Sequence, residues 1–223
     1  MKTSTELKRD VIEELEFDPS LDAAAIGVAV EDGVVTLNGH VPAYTDRMAA
    51  ERAVKRVAGV RAVANELQVA LWPGSDRDDT AIAHAAVTAL EWTMWIPADA
   101  VKVTVDKGWV TLEGEVSWNF QKEAAHQAVA HLTGVRGVSD LVTLKAVPTP
   151  AAVDRRIQSA LQRSASVDAK KVHVETMGGR VILRGTVRSW AEREDAERAA
   201  WSVAGVSRVD DEIVVGPAEY AEL

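Results

Sequence analysis

Gly33-Val34-Val35-Thr36-Leu37-Asn38-Gly39 recurs as Gly108-Trp109-Val110-Thr111-Leu112-Glu113-Gly114 and again as Gly179-Arg180-Val181-Ile182-Leu183-Arg184-Gly185. Behind each heptad, at the same distance from its first Gly, stands a second signature: Gly59-Val60, Gly134-Val135 and Gly205-Val206. A pattern copied with a fixed internal offset marks a repeat architecture, in which one supersecondary unit is used several times. The origins at 33, 108 and 179 set periods of 75 and 71 residues, so the copies differ in length only in their connections.

The same elements flank every copy. Asp32-Gly33, Lys107-Gly108 and Gly178-Gly179 supply the positive φ of a tight two-residue hairpin. Before them run the alternating sets Ile26, Val28, Val30; Val101, Val103, Val105; and Val172, Val174, Thr176, as in a strand with one covered face. After them the inward residues are Val35, Leu37, Gly39, Val41; Val110, Leu112, Gly114, Val116; and Val181, Leu183, Gly185, Val187. The inward position of the second Gly predicts that a helix approaches the sheet backbone there.

Upstream, Thr3, Asp78 and Thr149 are N-cap candidates, the last followed by Pro150 at the favoured first helical position. Leu7, Val11, Leu15; Ile82, Ala86, Leu90; and Val153, Ile157, Leu161 then repeat at helical spacing. Downstream, Ala50, Ala53, Val57; Ala125, Ala128, Leu132; and Ala196, Ala199, Val203 predict a second helix of small residues, closed by Gly59, Gly134 and Gly205 as C-terminal caps. A last strand runs through Leu67 and Val69, Val142 and Leu144, Ile213 and Val215.

The predicted fold class is α+β: three tandem αββαβ modules over residues 1–72, 77–146 and 149–217, each with two helices packed on one face of a small three-stranded mixed sheet. A unit of this size buries proportionally little surface, so the modules are expected to pack on one another across short linkers.

This element order, the G-x-V-x-L-x-G strand and the later GV-x-x-V-x-[ND] strand resemble the BON (bacterial OsmY and nodulation) domain, over residues 3–216. The resemblance implies a protein linked to osmotic stress, membranes and transport, with a proposed phospholipid-binding role and no catalytic residues. Several members are periplasmic. The familiar layout of the family carries an export signal and two copies, whereas this chain has three copies and is expected to lack the signal.

Composition agrees with a soluble protein, with 47% hydrophobic and 26% charged residues. No stretch approaches the ~18 uncharged apolar residues of a membrane-spanning helix, so an integral membrane protein is not expected. Met1 to Asp10 is charged where a secretory leader has an apolar run, which predicts a cytoplasmic protein, or a periplasmic one if a leader was removed. The absence of Cys excludes disulfides and thiolate chemistry. The net charge is −9, and none of the three repeats is basic, against the basic face a nucleic-acid binder needs.

No catalytic, metal or cofactor residues are expected. His126 and His131 diverge on a helix, Glu113 and Glu115 share a solvated strand face, and Asp76-Arg77-Asp78-Asp79 lacks the spacing of a calcium loop. No G-x-S-x-G elbow or phosphate loop occurs. The seven Trp fall off the common core columns, and residues that differ among equivalent repeats are where inter-repeat packing or a partner is accommodated. Trp92, Trp95, Trp109, Trp190 and Trp201, with Arg180, Arg184 and Arg188, are therefore the candidate partner or inter-repeat surface. The expected function is a non-catalytic binding or scaffold protein of osmotic or envelope stress, facing an unknown protein partner or a phospholipid surface. A peripheral membrane binder, or a potassium or calcium binder working through backbone carbonyls, are the alternatives. Oligomeric state stays open.

Overall fold

The computed structural model describes residues 2–71, 74, 76–145, 153–164 and 171–216. Each module begins with a helix: α1 (Ser4–Phe17), α3 (Asp79–Trp92) and α5 (Val153–Arg163). Thr3 starts α1 through a reciprocal capping box, its hydroxyl accepting from the Glu6 N–H at 3.2 Å while its own N–H donates to the Glu6 carboxylate at 2.8 Å. Asp78 caps α3 by accepting from the Ala81 N–H at 2.6 Å. Thr149 and Pro150 lie outside the described residues. The predicted stripes, from Leu7 to Leu15, Ile82 to Leu90 and Val153 to Leu161, are all buried.

Antiparallel hairpins follow: β1 (Ile26–Glu31) with β2 (Val34–Val41), β5 (Val101–Asp106) with β6 (Trp109–Val116), and β8 (Val172–Met177) with β9 (Arg180–Val187). Their turns need left-handed backbone at both central residues, found at Asp32 (φ 48°) and Gly33 (φ 81°), and at Lys107 (φ 51°) and Gly108 (φ 78°). Second helices α2 (Tyr44–Arg56), α4 (Asn119–Ala130) and α6 (Trp190–Trp201) then carry the chain back. A last strand lies parallel to the second: β3 (Ala62–Asn65) and β4 (Gln68–Val69) on β2, β7 (Gly137–Leu144) on β6, and β10 (Arg208–Val215) on β9. The heptad strand is thus central in every sheet, as its buried Val and Leu require.

The [ND] position of the last strand has a local role. Asn65, Asp140 and Asp211 each accept the N–H two residues on, from Leu67 (3.3 Å), Val142 (3.0 Å) and Ile213 (2.9 Å). A short acceptor side chain holds its own backbone in this way.

Three sequence expectations change. The second Gly of the heptad does not serve helix approach: Gly39, Gly114 and Gly185 have φ of 119°, 146° and 139°, and a Cβ there would collide with the carbonyl oxygens of Ala25, Ala100 and Lys171, just before the first strand. The requirement is left-handed backbone and close approach between strands. Gly59, Gly134 and Gly205 do not cap the helices but occupy the next turn, in which Val60, Val135 and Val206 N–H donate to the carbonyls of Val57, Leu132 and Val203. In the second helix Ala50, Ala125 and Ala196 are fully buried as expected, but Val54, Val129 and Ala200 are buried equally, whereas Ala128 and Ala199 are only half-buried.

In module two, α3 and α4 pack together and on the sheet, enclosing Ile82, Ala86, Val110, Leu112, Ala125 and Val129. Module three repeats this with Ile157, Leu161, Val181, Leu183, Ala196 and Ala200. The chain clusters into two compact units, one of Met1–Gly39, Ala49–Leu67 and Ala146–Leu223, the other of His40–Met48 and Gln68–Lys145. Among the described residues no helix is long and apolar enough to cross a membrane.

Candidate binding surface

The structure sorts the candidate residues into those with internal work and those without. Trp109 lies flat over Gly137, its partner across the parallel pair β6–β7, where any side chain on Gly137 would meet the indole ring. Its N–H donates to the Ser139 hydroxyl at 2.8 Å. The ring covers a strand glycine, a cross-strand role internal to the sheet. Trp201 packs against the module-three core and donates its N–H to Glu197 at 3.2 Å. Trp190 lies beside Arg193, whose guanidinium is 4.8 Å from its ring centre, and beside Lys55 of module one at 5.8 Å. Trp190 thus makes an inter-module contact and Trp201 an intramodular one.

The three arginines face carboxylates. Arg180 pairs with Asp210, and Arg184 bridges Glu212 (2.7 Å) and Glu175 (2.9 Å). Arg188 reaches Glu192 at 2.7 Å. Hydrogen bonds from Arg208 and then Arg180 hold the Asp210 carboxyl below its usual range, and the Glu212 contact raises Arg184. An anion would have to displace these carboxylates, so the ladder on β9 is not an open anion site.

Trp92 and Trp95 remain. They are 84% and 60% exposed, and Met94 between them is 83% exposed. Trp92 ends α3 and Trp95 lies in the connection to β5; Trp118, in the connection after β6, and Phe120, in the first turn of α4, are 41% and 48% exposed. Phe120 meets Trp95 edge-on at 6.1 Å and Trp118 at 6.4 Å between ring centres. Buried Gln121 ties the two loops together. Its amide oxygen accepts from the N–H groups of Ser117 (3.0 Å) and Trp118 (3.1 Å), and its NH2 donates to the Trp95 carbonyl at 2.8 Å. The result is an aromatic tip held on a fixed base.

The tip is uncharged from Trp92 to Ala98 and from Val116 to Gln121. Glu91, Asp99 and Glu123 border these runs, and the neighbouring Lys122 is occupied by the Val142 carbonyl (2.8 Å) and Asp140 (3.8 Å). The other modules share the feature only in part: Trp92 corresponds to Phe17, itself exposed, and to Arg163, but Trp95, Trp118 and Phe120 correspond to Ser20, Ala43 and Thr45 in module one, and to Ser166, Ser189 and Ala191 in module three. Trp118, Phe120 and Gln121 escaped the sequence reading. The available signal was Trp-Asn-Phe, with two aromatics flanking a polar residue where the other copies have one aromatic between small residues, Ala43-Tyr44-Thr45 and Ser189-Trp190-Ala191.

Of the histidines, His126 is half-buried, with burial pushing its pKa down, and its ring lies 6.4 Å from that of Tyr44. His131 ends α4 against the Gln127 carbonyl. Among the described residues no three His, Asp or Glu side chains converge as a metal-binding group.

Osmotically-inducible protein Y of Escherichia coli (strain K12) is 32% identical over 148 residues, which are 63% of this chain and 74% of that protein. Among solved structures, CdsD, a structural protein of the type III secretion system of Chlamydia trachomatis, aligns over 95% of this chain and 92% of its own at 17% identity and a TM-score of 0.27. Its C-terminal domain aligns over 97% and 100% at 16% identity with the same TM-score. The BON domain profile matches three times, at residues 3–70, 78–146 and 151–217. With three αββαβ modules on the heptad and the GV-x-x-V-x-[ND] strand, the chain belongs to the BON domain family.

Proposed function

We propose that this chain is a non-catalytic binding protein of osmotic stress whose working surface is the aromatic tip of module two, docking on a neutral phospholipid interface. The stress context rests on the relative named for osmotic induction. The tip is the observation that carries the reading: three indoles, a phenyl ring and a Met project together from an uncharged surface with no core to enter. Indoles favour half-wet interfaces, where the ring leaves water and the N–H keeps a polar partner.

Charge selects among occupants. A second copy brings the same acidic rim and a further charge of −9, which repels. Anionic headgroups meet the same obstacle, because basic clusters, not acidic ones, hold proteins on such membranes. A neutral headgroup carries no such penalty. Insertion of a few side chains makes this a weak, reversible contact, consistent with a peripheral protein.

Co-sedimentation with phosphatidylcholine vesicles tests it, with tryptophan emission as a second readout. The chain should partition onto neutral vesicles with a blue shift, bind less when phosphatidylglycerol is mixed in at low salt, and lose binding in the double variant Trp92→Ser, Trp95→Ser. Unchanged emission and quencher access with neutral vesicles would remove the lipid reading. Protection of the tip by cell extract in that case would leave a protein partner as its occupant.

A further inference from the structure

We infer that modules one and three are joined by a salt-responsive contact, so that the ionic strength around the protein sets how tightly they dock. The contact is charged on both sides. Lys55, near the end of α2, places its ammonium 3.0 Å from Glu194 of α6, 3.1 Å from Glu51 of its own helix, and 5.8 Å from the Trp190 ring centre. Arg193 stacks on the same ring at 4.8 Å and is itself anchored by Asp211, at 2.6 Å to the carboxylate and 3.2 Å to the carbonyl. The indole N–H of Trp190 is buried without a hydrogen-bond partner among the described residues. Its ring is therefore held through its π-face rather than its polar edge.

The arrangement belongs to this pair of modules. Lys55 corresponds to Ala130 and Trp201 in the other copies, and Trp190 to Tyr44 and Asn119. The buried apolar cluster of module three draws on residues between Val153 and Val215, none of them from module one. Burial alone would lower the Lys55 pKa, but hydrogen bonds to Glu194 and Glu51 outweigh it and raise the value, so the ammonium stays charged across the physiological range.

The side chains of Lys55 and Glu194 are 24% and 38% exposed, which leaves them open to screening. The Debye length falls from ~10 Å at 0.1 M salt to ~3 Å at 1 M. A half-exposed ion pair shifts a docking equilibrium by about two- to fivefold, and a cation–π contact by about as much. Losing most of both changes the docked population severalfold. A neutral osmolyte at equal osmotic pressure screens nothing and should leave the contact intact.

The chain has no Cys, so two introduced thiols label it uniquely. Lys8→Cys on α1 and Met177→Cys on the module-three hairpin are both exposed positions for a donor and acceptor dye in the full-length chain. Energy transfer should fall as KCl rises from 0.05 to 0.5 M, the docked-to-undocked ratio dropping about three- to tenfold, and stay constant in sucrose of matched osmolality. Lys55→Met keeps the aliphatic stem and removes the charge; Glu194→Gln removes the partner charge. Both should begin less docked at low salt, with about half the parent's salt slope. Transfer insensitive to KCl, an equal response to sucrose, or variants that titrate like the parent would each overturn the inference.

Discussion

Gln121 is the residue on which the aromatic tip stands, and two replacements there separate its tasks. Its side chain makes three hydrogen bonds, two accepted from the Ser117 and Trp118 N–H groups and one donated to the Trp95 carbonyl. At ~1 kcal/mol net for each bond, Gln121→Ala should cost about 2–3 kcal/mol, the upper end applying if the stranded backbone groups stay shielded from water. Gln121→Glu keeps the acceptor and loses the donor. Module three shows that a carboxylate suits the acceptor task, since Glu192 at the equivalent position accepts from the Arg188 N–H at 2.9 Å. In module two the carboxylate would face the Trp95 carbonyl, so the loss should be about 1–2 kcal/mol and confined to the 92–98 loop. Urea unfolding gives the totals, and amide hydrogen exchange locates the damage: Ser117 and Trp118 should lose protection in the Ala variant and keep it in the Glu variant. A cost for Gln121→Ala below ~0.5 kcal/mol, or equal damage from the two variants, would refute the pinned-tip geometry.

Gly114→Ala should destabilise the chain by more than ~2 kcal/mol in thermal denaturation, because φ of 146° and the Ala100 carbonyl both oppose a Cβ, and Gly39→Ala should behave alike. Asp210 supplies a pH dependence. Its native pKa is lowered by the Arg208 and Arg180 contacts, so its contribution is present above the ordinary carboxylate value and is lost as pH falls through the lowered one. Asp210→Asn should flatten the acid limb below ~pH 4 in circular dichroism titrations; an unchanged limb counts against the ladder.

The fold was legible because its requirements are local and repeated three times. Alternation at Val35 and Leu37, helical spacing at Leu7, Val11 and Leu15, and hairpin residues at Asp32-Gly33 are imposed by strand, helix and turn geometry over a few neighbours. The reason for an invariant position was harder to see. Gly39, Gly114 and Gly185 stand out in the repeat, but the carbonyl that excludes a Cβ belongs to a residue about fourteen positions upstream, across the hairpin. The [ND] position likewise shows its task only when the last strand is seen bonding its own backbone.

What the sequence by itself determined was the module and its core, because binary pattern and turn chemistry suffice to specify them. It also isolated the unequal residues as the place to look. Tertiary structure alone decided what each unequal residue does, since that depends on neighbours distant in the chain. Trp109 is spent on Gly137, Trp201 on its own core, Trp190 on Lys55 and Arg193, Arg180 and Arg184 on carboxylates of the flanking strands, and Arg188 on Glu192 of α6. Trp92 and Trp95 were left largely facing water. Trp118 and Phe120 join them because the β6–α4 loop closes against the α3–β5 loop through Gln121, a proximity no local pattern encodes.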